Sequence, residues 1–220
     1  ETNLAQDGSE NGPFGGAEPD PVETTDGPFG AGGDASAEAG ARGQQVLLAQ
    51  ASEQIGTIDE ISGQVTVTRA DGTEAVLSKG AAIFQGDSIE TGASAAVGIV
   101  FADSTTFSLG GGGSMVIDEM VYDPQTQEGS FAANISQGVF SFVSGQIAKA
   151  GVDAMTIQTP VTTIGIRGTT GAGQAGAEGT QNSISLLPDA GGSLGEMTIT
   201  TQAGAPQVIN SVGQTVSMTS

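Results

Sequence analysis

From Ile55 onward the chain alternates apolar and polar residues in short runs, and a glycine-bearing turn breaks the alternation about every ten residues. In Val65-Thr-Val-Thr68 and in Ala96–Phe101, every second side chain falls on one face, as a half-buried pleated strand requires. Asp71-Gly72 is a favoured two-residue hairpin turn between two such runs. Further runs fall at 75–78, 83–91, 105–109, 115–121, 130–135, 138–144, 154–159 and 161–167, then at 183–187, 196–201, 206–210 and 214–218. Thr, Val, Ile and Phe fill them, and no stretch shows a convincing helical period. The pattern predicts an all-β fold with almost no helix. Its body is a β-roll or solenoid-like winding or a sandwich, with a barrel also compatible, built from many short strands. The 36 glycines serve its tight corners.

Residues 1–43 are a different polymer. They carry nine acidic residues and one basic residue among Gly, Ala and Pro, with few large apolar side chains. Such a segment buries too little surface to offset its ordering entropy and is expected to be disordered in isolation. Asn11-Gly-Pro-Phe-Gly15 recurs as Asp26-Gly-Pro-Phe-Gly30, which places Phe14 and Phe29 in matching turn-prone frames. Gln44–Ala51 is a short apolar run, read as strand or irregular, with Val46, Leu47 and Leu48 at its centre. The expected organisation is an acidic Gly/Pro-rich tail at 1–43, a connecting segment at 44–54, a β domain at 55–170, and a C-terminal β extension at 171–220 packed on the same body.

Charge and missing residue types narrow the function classes. With 25 acidic against five basic residues the net charge is −20, which repels phosphate backbones and anionic headgroups. The cations Arg42, Arg69, Lys79, Lys149 and Arg167 are too scattered for a phosphate-binding patch, so no nucleic-acid partner is expected. Without Cys or His the chain lacks the usual transition-metal ligands and the common nucleophile–base pairs. No apolar run reaches the roughly 18–20 residues that a membrane-spanning helix needs, so no direct membrane insertion is expected. The first residue is Glu1, so no leader can be read, and export is an expectation drawn from the acidic, lysine-poor composition.

The most specific stretch is Met155–Thr169, where a strand meets Thr159-Pro160 and then ends in Ile164-Gly-Ile-Arg-Gly-Thr169. Other fragments precede it in order. They are Gly63-Gln-Val65, Leu77-Ser-Lys-Gly80, Gln85–Gly92, Ala95–Phe101 with the turn Ala102-Asp103-Ser104, Phe107-Ser-Leu-Gly110, Ser114-Met-Val-Ile117 and Gln137–Phe142. Together they resemble a FecR-type domain over roughly Ile55 to Thr170. The resemblance implies short strands wound into a compact β-roll or solenoid-like body in a bacterial envelope or surface protein. Ile55–Gly110 is also similar to the N-terminal retention modules of exported adhesins. FecR sensors in the periplasm relay a receptor signal through a cytoplasmic region and a membrane span. Residues 1–43 have neither character, so the sensor role is the alternative expectation.

Thr159, Pro160, Gly165, Arg167, Gly168 and Thr169 are read as a structural corner, with the Arg167 guanidinium tying neighbouring turns together. Asp71, Asp87, Asp103, Asp118, Glu119 and Asp123 are hard oxygen donors on turns. They lack the spacing of a calcium loop, so turn formation is their expected role and no cofactor is expected. Gly110–Gly113 lacks the Lys-Ser/Thr of a phosphate loop, and Lys79 and Lys149 are read as solvated. No enzyme is expected. The favoured reading is a non-catalytic extracellular or cell-surface protein, self-assembling into a filament or matrix or serving as an adhesin module. Its partners are other copies of itself, engaged head to tail through Phe14, Phe29, Val46, Leu47 and Leu48. The alternative is a periplasmic regulatory domain that binds a receptor signalling module.

Overall fold

The computed structural model describes residues 53–219 apart from 152, 191, 193–194 and 202–203. The tail, with Phe14, Phe29, Val46, Leu47 and Leu48, lies outside the described residues. Among those described, sixteen strands form two sheets that share one long member. The first sheet runs in the order β4 (Ala82–Phe84), β1 (Gln54–Ser62), β6 (Ala96–Phe101), β7 (Thr106–Leu109) and the second half of β9 (Glu128–Val143). It continues through β12 (Thr170–Ala175), β13 (Asn182–Leu187) and β16 (Thr215–Met218), antiparallel throughout. The second sheet runs β3 (Glu74–Val76), β2 (Val65–Thr68), β5 (Ser88–Thr91), β8 (Ser114–Asp123) and the first half of β9. β10 (Met155–Gln158), β11 (Thr162–Arg167), β14 (Glu196–Thr201) and β15 (Gln207–Ile209) complete it, and the β9–β10 pair is parallel.

The two sheets bury their apolar faces against each other. The rings of Phe101 on β6 and Phe131 on β9 meet edge to face with centroids 5.0 Å apart, across the sheets. Buried Ile, Val, Leu, Phe and Met from both sheets form one continuous cluster. The chain visits the sheets in turn, β1 in the first, β2 and β3 in the second, β4 back in the first, and so on to β16. Winding and sandwich therefore describe the same body. It is not a barrel, because β4, β16, β3 and β15 each pair on one side only.

Five features differ from the sequence reading: β1 is not among its runs, the run 83–91 is two strands, β4 and β5, one in each sheet, and three more follow. Residues 130–135 and 138–144 are not two strands but one, because β9 bends at Gly138 and passes from the second sheet into the first. Gly138 has φ +113°, and a Cβ there would lie 2.6 Å from the Gly113 Cα. Residues 170–175 form a strand that alternation does not predict. A single helical turn, α1 (Ile147–Ala150), buries Ile147 and Ala148. The register of β8 slips between Ile117 and Glu119, so a bulge at Asp118 puts both Ile117 and Met120 inward.

Candidate functional site

The residues expected to form one corner fall at two places: Thr159 and Pro160 in the turn between β10 and β11 within the second sheet, and Gly168 and Thr169 where the chain leaves that sheet for the first. The Thr159 N–H and hydroxyl both donate to the Thr162 carbonyl, at 2.8 and 3.3 Å, and close the turn that holds Pro160. The Thr162 hydroxyl donates to the Thr200 carbonyl at 2.8 Å and secures β11 on β14. Gly168, at φ +55°, then redirects the backbone. Thr169 is buried and exchanges two bonds with Ser144 just past β9: its N–H donates to Ser144 Oγ at 2.7 Å, and the Ser144 N–H donates to its carbonyl at 3.1 Å. Gly165 leaves room for Asp153, whose Oδ1 would lie 2.6 Å from an added Cβ.

Among the described residues Arg167 makes no tie of the expected kind. Ile164 and Ile166 take the inward positions of β11, so alternation turns Arg167 to solvent, in register with Glu196. Its guanidinium has no hydrogen-bond or ion-pair partner among the described residues.

The tie is made at the other end of the molecule, by Arg69. This residue follows β2 in the second sheet, yet its guanidinium donates twice to the Ala82 carbonyl of β4 in the first, both at 3.2 Å. It also donates to Asp87 Oδ2, which accepts the Phe84 N–H at 2.8 Å, and it lies 4.9 Å from the centre of the Phe84 ring. Asp87 is fully buried, and its Oδ1 has no hydrogen-bond partner among the described residues. Burial raises its carboxyl above the usual range, against the opposing pull of the Phe84 N–H and the Arg69 charge. In the sequence Arg69 is one scattered cation among five. Only its place at the end of an inward-outward strand, with an aspartate 18 residues on, hints at more.

Beside this pair the mouth between the sheets opens as a groove of about 730 Å³. Ile55, Phe84, Met120 and Val121 supply apolar wall, and Arg69, Asp71 and Tyr122 supply polar atoms. The chain enters β1 along its edge, through Glu53 and Gln54.

Of the other acidic candidates, Asp118 is exposed on the β8 bulge and the rest are engaged locally. Asp103 is buried and accepts from the Thr105 N–H and hydroxyl, at 2.9 and 2.8 Å, and from the Ile147 N–H at 3.3 Å, so it fastens the first turn of α1. Asp71 accepts the Thr73 N–H, Asp123 the Gln125 N–H, and Glu119 the Ser130 hydroxyl, each closing a local turn or pair. Among the described residues no three acidic side chains converge as metal ligands. Lys79 is exposed, 3.9 Å from Asp59.

Residues 87–188 match the family described as FecR protein. The chain carries a FecR-type domain. The matched stretch runs from the buried Asp87 to just past β13, so β1–β4 and β14–β16 share the sheets of the FecR domain without belonging to the matched stretch. No curated protein matches the chain. Among solved structures, a cell surface anchoring domain is 40% identical over 29% of this chain and 83% of that one, with a TM-score of 0.28. A candidate anti-sigma factor from Parabacteroides distasonis is 11% identical over 60% of this chain and 59% of that one, with a TM-score of 0.41. No helix among the described residues is long and apolar enough to cross a membrane.

Proposed function

We propose that this FecR-bearing chain is a non-catalytic protein of the bacterial surface or periplasm that assembles with copies of itself. Its N-terminal segment would dock on a neighbouring subunit. The observation that supports the reading most is the apolar-walled groove at the open mouth of the sheets, next to the residues where β1 begins. The occupant it suits is Val46–Ala51, an apolar run of strand-forming length that lies just ahead of Glu53. Tail residues 1–43 could extend over about 140 Å at roughly 3.3 Å each, enough to cross a neighbouring domain of this size. A heterologous contact of this kind propagates head to tail, because donor segment and acceptor groove are different parts of the chain.

The test compares full-length protein with a variant lacking residues 1–51, by electron microscopy and sedimentation. Assemblies that vanish on deletion support the reading. Assemblies that persist unchanged defeat the docking role of the segment. A full-length chain that stays monomeric and instead binds a receptor signalling module would favour the regulatory alternative.

A further inference from the structure

The outward faces of the two sheets differ in charge. Across the second sheet the outward positions include Glu74, Glu90, Glu119, Arg167 and Glu196. Across the first sheet, from β6 to β16, the described outward positions include no charged residue at all. The middle row of that face reads Gly98, Ser108, Ser141, Ala172, Ser185 and Thr215, residues that stand opposite one another strand by strand. The rows on either side add exposed Val100, Val139 and Val143 and half-buried Leu187, with only Thr, Ser, Ala and Gln for company. Charges stand at the border: Glu60 is opposite Gly98 on β1 and lines with Lys79 a hollow that reaches Gly98 and Ser108, and Asp189 accepts the Thr170 hydroxyl at 2.6 Å.

We propose that this uncharged outward face of the first sheet is a docking face for the same face of a second copy, related by a two-fold axis. The inference rests on the self-assembling reading above and adds a second kind of contact to it. In a chain of net charge −20, most surfaces of two copies repel at close range. This face meets its own copy with no like charges opposed, and its short side chains let two sheets come together at ordinary stacking distance. Six strands at about 4.8 Å spacing, with outward side chains in three rows, make a patch of about 29 by 20 Å. Two such patches bury about 1,100 Å² together, just within reach of a specific interface. Desolvation is cheap, because hydroxyls such as the Ser185–Thr215 pair already bond each other at 2.7 Å.

The experiment places two glutamates at the centre of the face of the full-length chain, Ser141→Glu with Ala172→Glu, and uses Thr198→Glu on the second sheet as control. Sedimentation velocity over a concentration series should show the wild type and the control associating and the double variant weakened at least about tenfold. Equal association of all three overturns the face contact while leaving tail-driven assembly standing. A monomeric wild type overturns both. Because the chain has no cysteine, Ser141→Cys supplies a check that does not depend on the glutamates being tolerated. A short bis-maleimide should link Ser141→Cys chains into dimers and leave Thr198→Cys chains unlinked. If the thiol of the Ser141→Cys variant reacts freely at all concentrations, and is shielded only when a neutral polysaccharide is added, the self-contact is overturned in favour of glycan binding.

Discussion

Arg69 and Arg167 show how little a residue's type says about its energetic weight. The Arg69 side chain is 24% exposed and bridges the two sheets through a carbonyl, a buried carboxylate and a ring face. Arg69→Ala strands the Asp87 charge in the core, and should cost on the order of 2–3 kcal/mol, below the full value for a wholly buried pair because solvent reaches the guanidinium. Arg167→Ala should fall within about 0.5 kcal/mol of the wild type, since nothing among the described residues bonds the guanidinium. Urea denaturation of both variants checks the pair, and a reversed order would mean that Arg167 finds a partner in the folded chain. Asp87 adds a pH signature. Its folded pKa is raised by burial above the unfolded value near 3.8. The folded state therefore binds this proton first, and the group's contribution to stability is largest below the unfolded pKa and is lost as pH rises through the folded one. The stability of the wild type relative to Asp87→Asn should decline over that window above 3.8, as followed by thermal melts. A difference that grows with pH there would contradict the raised pKa.

At the scale of elements, β12 is the informative strand. Its inward positions are Gly171, Gly173 and Ala175, and the two glycines lie under the rings of Phe142 and Phe140 on β9, their partners in register. A Cβ at Gly173 would lie 2.7 Å from the Phe140 ring and from the Ser183 carbonyl, so glycine here is a space requirement set by the neighbouring strand. Gly173→Ala should destabilise the fold by about 1–3 kcal/mol through overpacking. Gly173→Ala combined with Phe140→Leu should recover part of that loss, which differential scanning calorimetry can read. A strand whose apolar surface is lent by its neighbour shows no alternation of its own, so Thr170–Ala175 could not be recognised from sequence. Strands such as β2, β6, β7 and β11 carry their own inward Val, Ile, Phe or Leu at every second position and were legible for that reason.

For the whole molecule, net charge opposes the proposed assembly, and the uncharged face and the apolar groove are the surfaces through which it would form. Raising ionic strength from about 0.01 to 0.15 M shortens the screening length from about 30 to 8 Å. The light-scattering mass of the full chain should therefore rise with salt, whereas a fall would mean that ion pairs hold the copies together. The all-β class and turns such as Asp71-Gly72 followed from alternation and turn chemistry, which are local properties that each short segment carries within itself. The sequence alone also held the contrast between the acidic tail and the β body, because composition needs no partner to be read. Tertiary structure alone decided that Arg69 rather than Arg167 pins the sheets, that β9 belongs to both, and that the described acidic side chains avoid one outward face from β6 to β16. Each of these depends on which strands lie side by side, and pairing between residues tens of positions apart is set by the packing of the whole core.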